Sequence, residues 1–221
     1  MSTIEAIVYD VDGTMVNSEP LHVSAWDEAL KASGKELSHL SDNFIKTMAG
    51  KKPIVIAAGM VEELQLLISA EKLLELKSSL FLEKARTSLE EMPGAIESIR
   101  RFKDAGYKLA IGTSLDREFL DIILESLNVS DFFNVIVTGD QIKNGKPHPE
   151  TYLTVSKKLE LAPDKLVVFE DAQSGIQSAK AAGTLCIAIE NKNAVVQDTH
   201  EADITVPSLN DITIEMIKAF N

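Results

Sequence analysis

From about residue 92 to the end of the chain, short apolar runs alternate with segments whose apolar residues recur at helical spacing. The runs predict strands at about 108–112, 135–137, 165–169 and 185–189, after a first strand at 4–9. The segments between them predict helices at about 95–104, 119–127, 149–159 and 174–182. Because this alternation is typical of parallel βαβ units, the pattern predicts an α/β protein with a parallel sheet.

Strand signals are missing between about residues 20 and 88, where the pattern predicts a series of helices instead. Apolar residues recur there at helical spacing, first within 21–30 and again within 61–68. We therefore predict a core domain of residues 1–15 and 89–221 and an inserted helical cap domain of residues 16–88. Such an insertion is expected to form a cap over the carboxyl end of the sheet.

The composition is that of a soluble globular protein, with 45% apolar and 25% charged residues among 221. The excess of 34 acidic over 22 basic residues gives a net charge of -12, which argues against a nucleic-acid partner and against binding to an anionic membrane. The single Cys186 lies in an apolar run, and a buried, unreactive thiol there fits a reducing cytosol. With neither a leader pattern nor an apolar stretch of about 18 residues, we expect a cytoplasmic protein. We also expect it to be a monomer.

Two aspartates, Asp10 and Asp12, come directly after the first predicted strand and are followed by Gly13. Ligands of open parallel sheets bind at the carboxyl ends of the strands, so this turn is a candidate site. Paired carboxylates repel each other unless a cation lies beside them, which indicates a hard ion such as Mg2+. A carboxylate can also attack phosphorus while a second acid handles the proton of the leaving group. The alternative is an ordinary acidic turn, since Asp and Gly are common turn residues.

Further polar residues lie at strand ends or in connecting loops of the same predicted sheet. Thr113 and Ser114 follow a strand, where their hydroxyl and N–H groups could hold phosphate oxygens or merely cap a helix. Lys146 could neutralise a phosphate or be a solvated surface lysine. Glu170 and Asp171 could complete a metal site or form a polar strand end that faces water. Their joint occurrence in one predicted sheet favours a site for one metal ion and one phosphate.

Together these residues resemble the four motifs of the haloacid dehalogenase-like superfamily, in their usual order. The motifs are the sequence DVDGT at 10–14, Thr113, Lys146 and the pair Glu170 and Asp171, and the resemblance covers essentially the whole chain. The segments 18–22, 145–150 and 169–175 resemble more narrowly the branch that holds β-phosphoglucomutases and small sugar-phosphate phosphatases. The resemblance implies a Rossmann-like parallel sheet with a helical cap.

The resemblance also implies a role for each residue in phosphoryl transfer. Asp10 attacks phosphorus, and Asp12 acts first as the general acid and then as the general base. Thr113, the backbone of Ser114 and Lys146 bind the phosphoryl group that is transferred.

The same resemblance implies a Mg2+ site. Asp10, the carbonyl of Asp12 and Asp171 hold the ion, and Glu170 assists. The dehalogenases that name the superfamily generally lack the second aspartate and need no metal, so Asp12 argues against dehalogenation.

His22 lies where the mutases of this branch carry a histidine near the cap hinge, and we count it among the substrate-binding candidates, although it could equally be a packed or surface residue. The mutases also carry an arginine after the cap glycine and a lysine after the second-strand hydroxyls, which the segments 50–53 (GKKP) and 115–117 (LDR) match imperfectly. We therefore expect a Mg2+-dependent phosphatase that hydrolyses a small phosphorylated metabolite, a sugar phosphate, through an aspartyl-phosphate. A β-phosphoglucomutase-like phosphohexomutase is the alternative, and a non-catalytic member that binds a phosphorylated ligand is the third possibility.

Overall fold

The computed structural model describes residues 3–46, 48, 51, 53–192 and 197–220. The chain divides into two compact units. The first, here called the core unit, consists of Met1–Glu19 and Leu89–Asn221. The second, the helical unit, consists of Pro20–Ser88.

Within the described residues the chain forms strands and helices, joined by loops and single 3-10 turns. The strands are β1 (Ala6–Tyr9), β2 (Val16–Asn17), β3 (Glu90–Glu91), β4 (Lys108–Gly112), β5 (Val135–Val137), β6 (Leu166–Glu170), β7 (Leu185–Ile189) and β8 (Ile204–Val206). The α-helices are α1 (Glu19–Lys31), α2 (Asp42–Lys46), α3 (Pro53–Leu64), α4 (Ala70–Ser88), α5 (Ala95–Asp104), α6 (Arg117–Leu127), α7 (Glu150–Leu159), α8 (Gln173–Ala182) and α9 (Ile214–Lys218).

The core unit is built on a six-stranded sheet with the order β5-β4-β1-β6-β7-β8. Every neighbouring pair in this sheet is parallel. In the centre, Tyr9 of β1 is in register with Ile111 on one side and Phe169 on the other. The predicted α/β class and the Rossmann-like parallel sheet are therefore confirmed.

Alternate residues of β1 enter two separate apolar clusters, one on each face of the sheet. Ile7 and Tyr9 pack into a cluster that includes residues of α5 and α6. Ala6 and Val8 pack into a second cluster, which includes residues of α7 and α8. Because both faces are covered, a continuous apolar run rather than an alternating one forms this strand.

The core unit also contains elements that the sequence pattern does not predict. The antiparallel pair of β2 and β3 has only two residues in each strand, and β8 and α9 are three and five residues long. Such short segments carry too few positions for a periodic signal, and none of these strands is a continuous apolar run like β5. The strand predicted at 165–169 is shifted by one residue, so that Glu170 ends β6 and is in register with Ala188 of β7. Cys186 is fully buried, as predicted.

The helical unit has its own apolar cluster, to which α1, α3 and α4 contribute. Trp26, Leu30, Met60 and Leu73 are among its buried members. Its place as a cap domain stays a prediction. None of the helices that the structure describes combines the length and the apolar character needed to cross a membrane.

Candidate active site

Polar side chains follow the carboxyl ends of three neighbouring strands in the middle of the sheet. Asp10 follows β1, and its N–H donates to the carbonyl of Phe169 in β6 at 3.0 Å. Thr113 follows β4, while Glu170 ends β6 and Asp171 follows it. Since β1 pairs in parallel with both β4 and β6, these residues lie along one edge of the sheet. Ligands of open parallel sheets bind at this edge.

Lys146 joins two of these strand ends. Its side chain comes from the loop before α7 and is only 7% exposed. Its Nζ atom lies 2.5 Å from Asp10 Oδ1, 2.5 Å from Glu170 Oε1 and 3.1 Å from the carbonyl oxygen of Gly112. An ammonium group has three N–H donors, so these three acceptors use all of them. Lys146 is therefore not a solvated surface lysine.

Three buried acids lie together beside Lys146. One carboxylate oxygen from each of Asp10, Glu170 and Asp171 lies within 4.8 Å of the others. Asp171 Oδ2 accepts a hydrogen bond from Asn191 Nδ2 at 3.0 Å, whereas the buried Asp171 Oδ1 has no hydrogen-bond partner among the described residues. A buried carboxylate oxygen without a partner is costly, and a hard cation would satisfy it. The donor set therefore fits Mg2+.

The turn after β1 is shaped to admit Asp171. Gly13 has φ +82°, and a Cβ atom there would lie 1.9 Å from Asp171 Oδ2. Only glycine satisfies both the backbone angle and this close approach. Asp12, just before it, is half-buried and forms an isolated bridge with Val16.

Burial and crowding of like charges dominate the electrostatics of the site. Burial raises the pKa of Asp10 well above its usual range, although the positive charge of Lys146 acts to lower it. Burial and the neighbouring Glu170 raise the pKa of Asp171 to about 7. Burial by itself would lower the pKa of Lys146, but the negative charges of Asp10 and Glu170 together raise this pKa above its ordinary value. One ammonium group thus faces several carboxylates, and a divalent cation would relieve the excess negative charge.

Thr113 and Ser114 form the turn between β4 and α6. Thr113 is 1% exposed and its Oγ1 accepts a hydrogen bond from the N–H of Leu115 at 3.2 Å, whereas Ser114 is exposed. The residue that precedes the first turn of α6 is Asp116. Neither Thr113 nor Ser114 therefore caps the helix, and their role in phosphate binding stays a proposal.

The protein-family model described as haloacid dehalogenase-like hydrolase matches residues 7–189. The chain belongs to this family. The expectation that it is an enzyme of the haloacid dehalogenase-like type is therefore confirmed.

Relatives of this haloacid dehalogenase-like hydrolase include named phosphatases. The phosphorylated carbohydrates phosphatase of Thermotoga maritima is 36% identical over 81% of this chain and 82% of that protein. The fructose-1-phosphate phosphatase YqaB of Escherichia coli is 28% identical over 80% of this chain and 92% of its own length. A solved structure of a provisionally assigned β-phosphoglucomutase from Thermotoga maritima is 31% identical, with a TM-score of 0.76 over 94% of this chain and 96% of that one.

His22 of this haloacid dehalogenase-like hydrolase lies in the helical unit and contacts two residues of α4. Its Nδ1 atom is 2.8 Å from Lys77 Nζ, and its ring stacks on Phe81 with the ring centroids 4.1 Å apart. Lys77 is only 5% exposed, and its Nζ lies 4.7 Å from the centroid of the Phe81 ring. Burial and the charge of Lys77 lower the pKa of His22 to about 3. A charged lysine can only donate, so Nδ1 accepts and the ring proton lies on Nε2.

The segments in which the mutases carry basic residues are only partly described. Gly50 and Lys52 lie outside the described residues, while Lys51 is exposed. Arg117, in the second segment, pairs through Nε with Asp121 Oδ1 at 2.8 Å, and both side chains are about half exposed.

Three residues with contacts of functional interest are not predicted from the sequence: Tyr152, Asn191 and Lys77. Tyr152 lies on the apolar face of α7, and its hydroxyl group donates to Glu170 Oε1 at 2.6 Å. In the sequence, the only signal for this contact is that a buried tyrosine hydroxyl group needs a polar partner. Asn191 follows β7. Ligands of open parallel sheets bind at the carboxyl ends of the strands, so the reasoning that identifies Asp10 also applies to Asn191. Lys77 has no comparable signal, because it lies among several charged residues of α4.

Proposed function

We propose that this chain is a Mg2+-dependent phosphatase that hydrolyses a small sugar phosphate through an aspartyl-phosphate on Asp10. The observation that carries the proposal is the contact of Lys146 Nζ with Asp10 Oδ1 at 2.5 Å, beside the buried cluster of acids. A fixed cation at this position would neutralise phosphate oxygens as the carboxylate approaches phosphorus. The names of two relatives, a phosphorylated carbohydrates phosphatase and a fructose-1-phosphate phosphatase, support a sugar phosphate as the substrate.

In the first step, a carboxylate oxygen of Asp10 forms a bond to phosphorus and the bond between phosphorus and the sugar oxygen breaks. Asp12 donates its proton to the departing sugar oxygen, so that a neutral hydroxyl group leaves. The products of this step are the free sugar, an aspartyl-phosphate and a deprotonated Asp12.

In the second step, a water molecule attacks the phosphorus of the aspartyl-phosphate. Asp12 takes a proton from this water as general base, and the bond between phosphorus and Asp10 breaks. Inorganic phosphate leaves, and both aspartates return to their starting states.

The phosphoryl oxygens need partners during both steps. Lys146 supplies a point charge, and Thr113 with the backbone N–H of Ser114 supplies neutral donors. The burial of Lys146 and Thr113 favours this role, because a charge or donor shielded from water acts more strongly.

Mg2+ would be held by Asp10, Asp171 and the carbonyl oxygen of Asp12, with Glu170 beside them. When bound, the ion neutralises negative charge on the nucleophile and on the phosphate oxygens. The buried Asp171 Oδ1, which has no hydrogen-bond partner among the residues described, supports this ligand set.

The experiment that tests the proposal is a screen of phosphorylated metabolites with the purified protein, in Mg2+ and in a chelator, with Asp10→Asn as the matched control. We expect release of inorganic phosphate from at least one sugar phosphate, only in the presence of Mg2+ and only with the unsubstituted protein. Equal release in the chelator, or by Asp10→Asn, would contradict the proposal.

The alternative activity is that of a phosphohexomutase. It is favoured by the 31% identity to the provisionally assigned β-phosphoglucomutase. The segments 50–53 and 115–117 weigh against it, because they match the basic residues of the mutases imperfectly. The exposed pair of Arg117 Nε with Asp121 is worth about 1 kcal/mol or less and adds little to this argument. Membership in the hydrolase family and the complete set of acids argue against a member that only binds its ligand.

A cap role of the helical unit, with His22 as a substrate-binding residue, belongs to the same proposal. A cytoplasmic location and a monomeric state stay predictions, as does the absence of nucleic-acid and membrane partners. The net charge of -12 supports the last of these.

A further inference from the structure

Tyr152 is a buried residue of α7 that the proposed reaction does not use. Its side chain is fully buried, and its hydroxyl group donates to Glu170 Oε1 at 2.6 Å. The same oxygen accepts the hydrogen bond from Lys146 Nζ at 2.5 Å. One carboxylate oxygen therefore accepts two short hydrogen bonds, one from a charged donor and one from a neutral donor.

The ring of Tyr152 also touches other parts of the site. Lys146 Nζ lies 5.1 Å from the ring centroid, within the range of a cation–π interaction. A Cβ atom on Gly112 would lie 2.9 Å from Tyr152 Cε1, so the ring packs directly against the strand end whose carbonyl accepts from Lys146. Tyr152 thus contacts Glu170, Lys146 and Gly112 together.

From these contacts we infer that Tyr152 is a positioning residue: its hydroxyl group fixes the carboxylate of Glu170, and through it the place of Lys146 and the shape of the acidic cluster that binds Mg2+. Glu170 is 1% exposed, so no bulk water replaces a lost partner. Oε1 is held by Tyr152 and Lys146, whereas Oε2 accepts one long hydrogen bond, from the N–H of Ala172 at 3.4 Å, and so has acceptor capacity left. Partners that orient metal-binding side chains typically affect metal affinity or activity by about 10-fold to 100-fold.

A purely structural role is the competing explanation, because a buried tyrosine hydroxyl group usually finds some partner. Tyr9 provides the matched comparison. It is also fully buried, and its hydroxyl group shares a hydrogen bond with Ser98 Oγ at 3.1 Å, among the residues of the other face of the sheet. Tyr9→Phe and Tyr152→Phe remove the same atom from equally buried rings, but only the second removes a bond to the acidic cluster.

The inference rests on the proposed function, and calorimetric titration with Mg2+ alone separates the two. We expect Tyr152→Phe to weaken Mg2+ binding by about 10-fold or more and to lower kcat at saturating Mg2+, while Tyr9→Phe leaves both within about twofold of the unsubstituted protein. Melting temperatures show whether each variant is folded. Should Tyr152→Phe unfold, Tyr152→Leu, which is smaller and also lacks the hydroxyl group, gives a second reading, and unchanged Mg2+ binding by a folded Tyr152→Leu would contradict the inference.

The outcomes are distinguishable. If the unsubstituted protein binds Mg2+ and Tyr152→Phe binds it equally well with unchanged kcat, this inference is wrong and the proposed function stands. If Tyr9→Phe shows the same losses as Tyr152→Phe, the effect is one of general stability and the inference is again wrong. If the unsubstituted protein binds no Mg2+, both proposals are overturned.

Discussion

Gly175 faces the carboxylate of Glu170 so closely that a Cβ atom built on it would lie 1.9 Å from Glu170 Oε1. Gly175 lies inside α8, where alanine would normally stabilise a helix by about 1 kcal/mol relative to glycine. Here we expect Gly175→Ala to push Glu170 away from Lys146 and to lower phosphatase activity by about 10²-fold, because small displacements in a site have effects of that size. The measurement is kcat/KM, with the exposed Ser174→Ala of the same helix as the control. Normal activity of Gly175→Ala would show that Glu170 does not need its present position.

The part of the site that lies at the carboxyl ends of strands can be predicted from the sequence. Asp10, Glu170 and Asp171 all follow apolar runs, and parallel strands bring such positions to one edge whatever the loops between them do. The position of Lys146 is different, because it lies in a loop 136 residues after Asp10 and no local pattern gives its distance from that residue. Its inclusion in the predicted site depends on its place in a connecting loop of the same predicted sheet, on its charge and on the family resemblance.

The contacts that refine the site are less predictable. Tyr152 occupies a position of α7 that an apolar residue would fill equally well, so periodicity alone does not distinguish a core role from a positioning role. The prediction for His22 leaves a packed residue and a functional residue open. Its ring stacks on Phe81, and a role toward the substrate stays a proposal. In the fold, the pattern finds β1, β4, β5, β6 and β7 but misses β8. Both β5 and β8 have three residues, but β5 is apolar throughout, whereas β8 has the polar Thr205 at its centre.

The two aspartates of the first motif should differ in how their loss affects turnover. Asp10→Asn should reduce turnover to background, because an amide of nearly the same size is a poor nucleophile. Asp12→Asn should lower kcat by about 10²-fold to 10⁴-fold, because proton transfer to the leaving group is lost. Both effects are measured by phosphate release, and trapping of the phosphoenzyme identifies the residue that carries the phosphoryl group. A phosphoenzyme on any residue other than Asp10 would contradict the mechanism.

Stability of the metal-free protein should depend on pH through Asp171. Burial and Glu170 raise the pKa of this group from 3.8 to about 7, so between these values the folded protein binds more protons than the unfolded chain. The stability that this group contributes is therefore present at low pH and is lost as the pH rises through about 7. In chelator, we expect the melting temperature to fall more between about pH 5 and about pH 7.5 for the unsubstituted protein than for Asp171→Asn.

Addition of Mg2+ provides the second part of this test. The ion binds the deprotonated carboxylates, so the rise in melting temperature that it produces should be larger at about pH 7.5 than at about pH 5. Asp171→Asn should show a smaller rise at both values. A melting temperature that is independent of both Mg2+ and Asp171 would mean that the acidic cluster is not a metal site.

His22 should stay neutral throughout the working range of pH. Burial and the charge of Lys77 lower its pKa to about 3, whereas the pKa of the exposed His200 is raised by its hydrogen bond to Asp198. In an NMR titration from about pH 5 to about pH 8, the ring signals of His22 should not move, and those of His200 provide the internal control because a histidine ordinarily titrates near 6.5. Lys77→Met should raise the pKa of His22 without restoring the ordinary value, since burial remains. A titration of His22 near 6.5 in the unsubstituted protein would show that its ring is not held as described.

The last prediction separates a phosphatase from a mutase. Both activities pass through the same aspartyl-phosphate and differ in whether water or a second sugar hydroxyl group reaches it first. A mutase must bind a sugar bisphosphate tightly while it excludes water, and basic side chains bind the phosphate groups. Arg117 is the first residue of α6, and its exposed pair with Asp121 at 2.8 Å competes weakly with a second phosphate for the guanidinium group. We therefore expect the protein to release its sugar and admit water.

In the measurement, the protein receives β-glucose 1-phosphate with a trace of the 1,6-bisphosphate. Inorganic phosphate and glucose 6-phosphate are then followed over time. If the sugar is accepted, inorganic phosphate should accumulate with little glucose 6-phosphate, because water intercepts the aspartyl-phosphate. Asp121→Ala is the informative variant, because it removes the acceptor of Arg117 without touching the acids of the site. It should shift the product ratio toward glucose 6-phosphate if a basic side chain at the start of α6 decides the outcome. Formation of glucose 6-phosphate many times faster than inorganic phosphate by the unsubstituted protein would show that the phosphatase assignment is wrong. His22 would then be the first residue to substitute, because it lies where the mutases carry a histidine near the cap hinge.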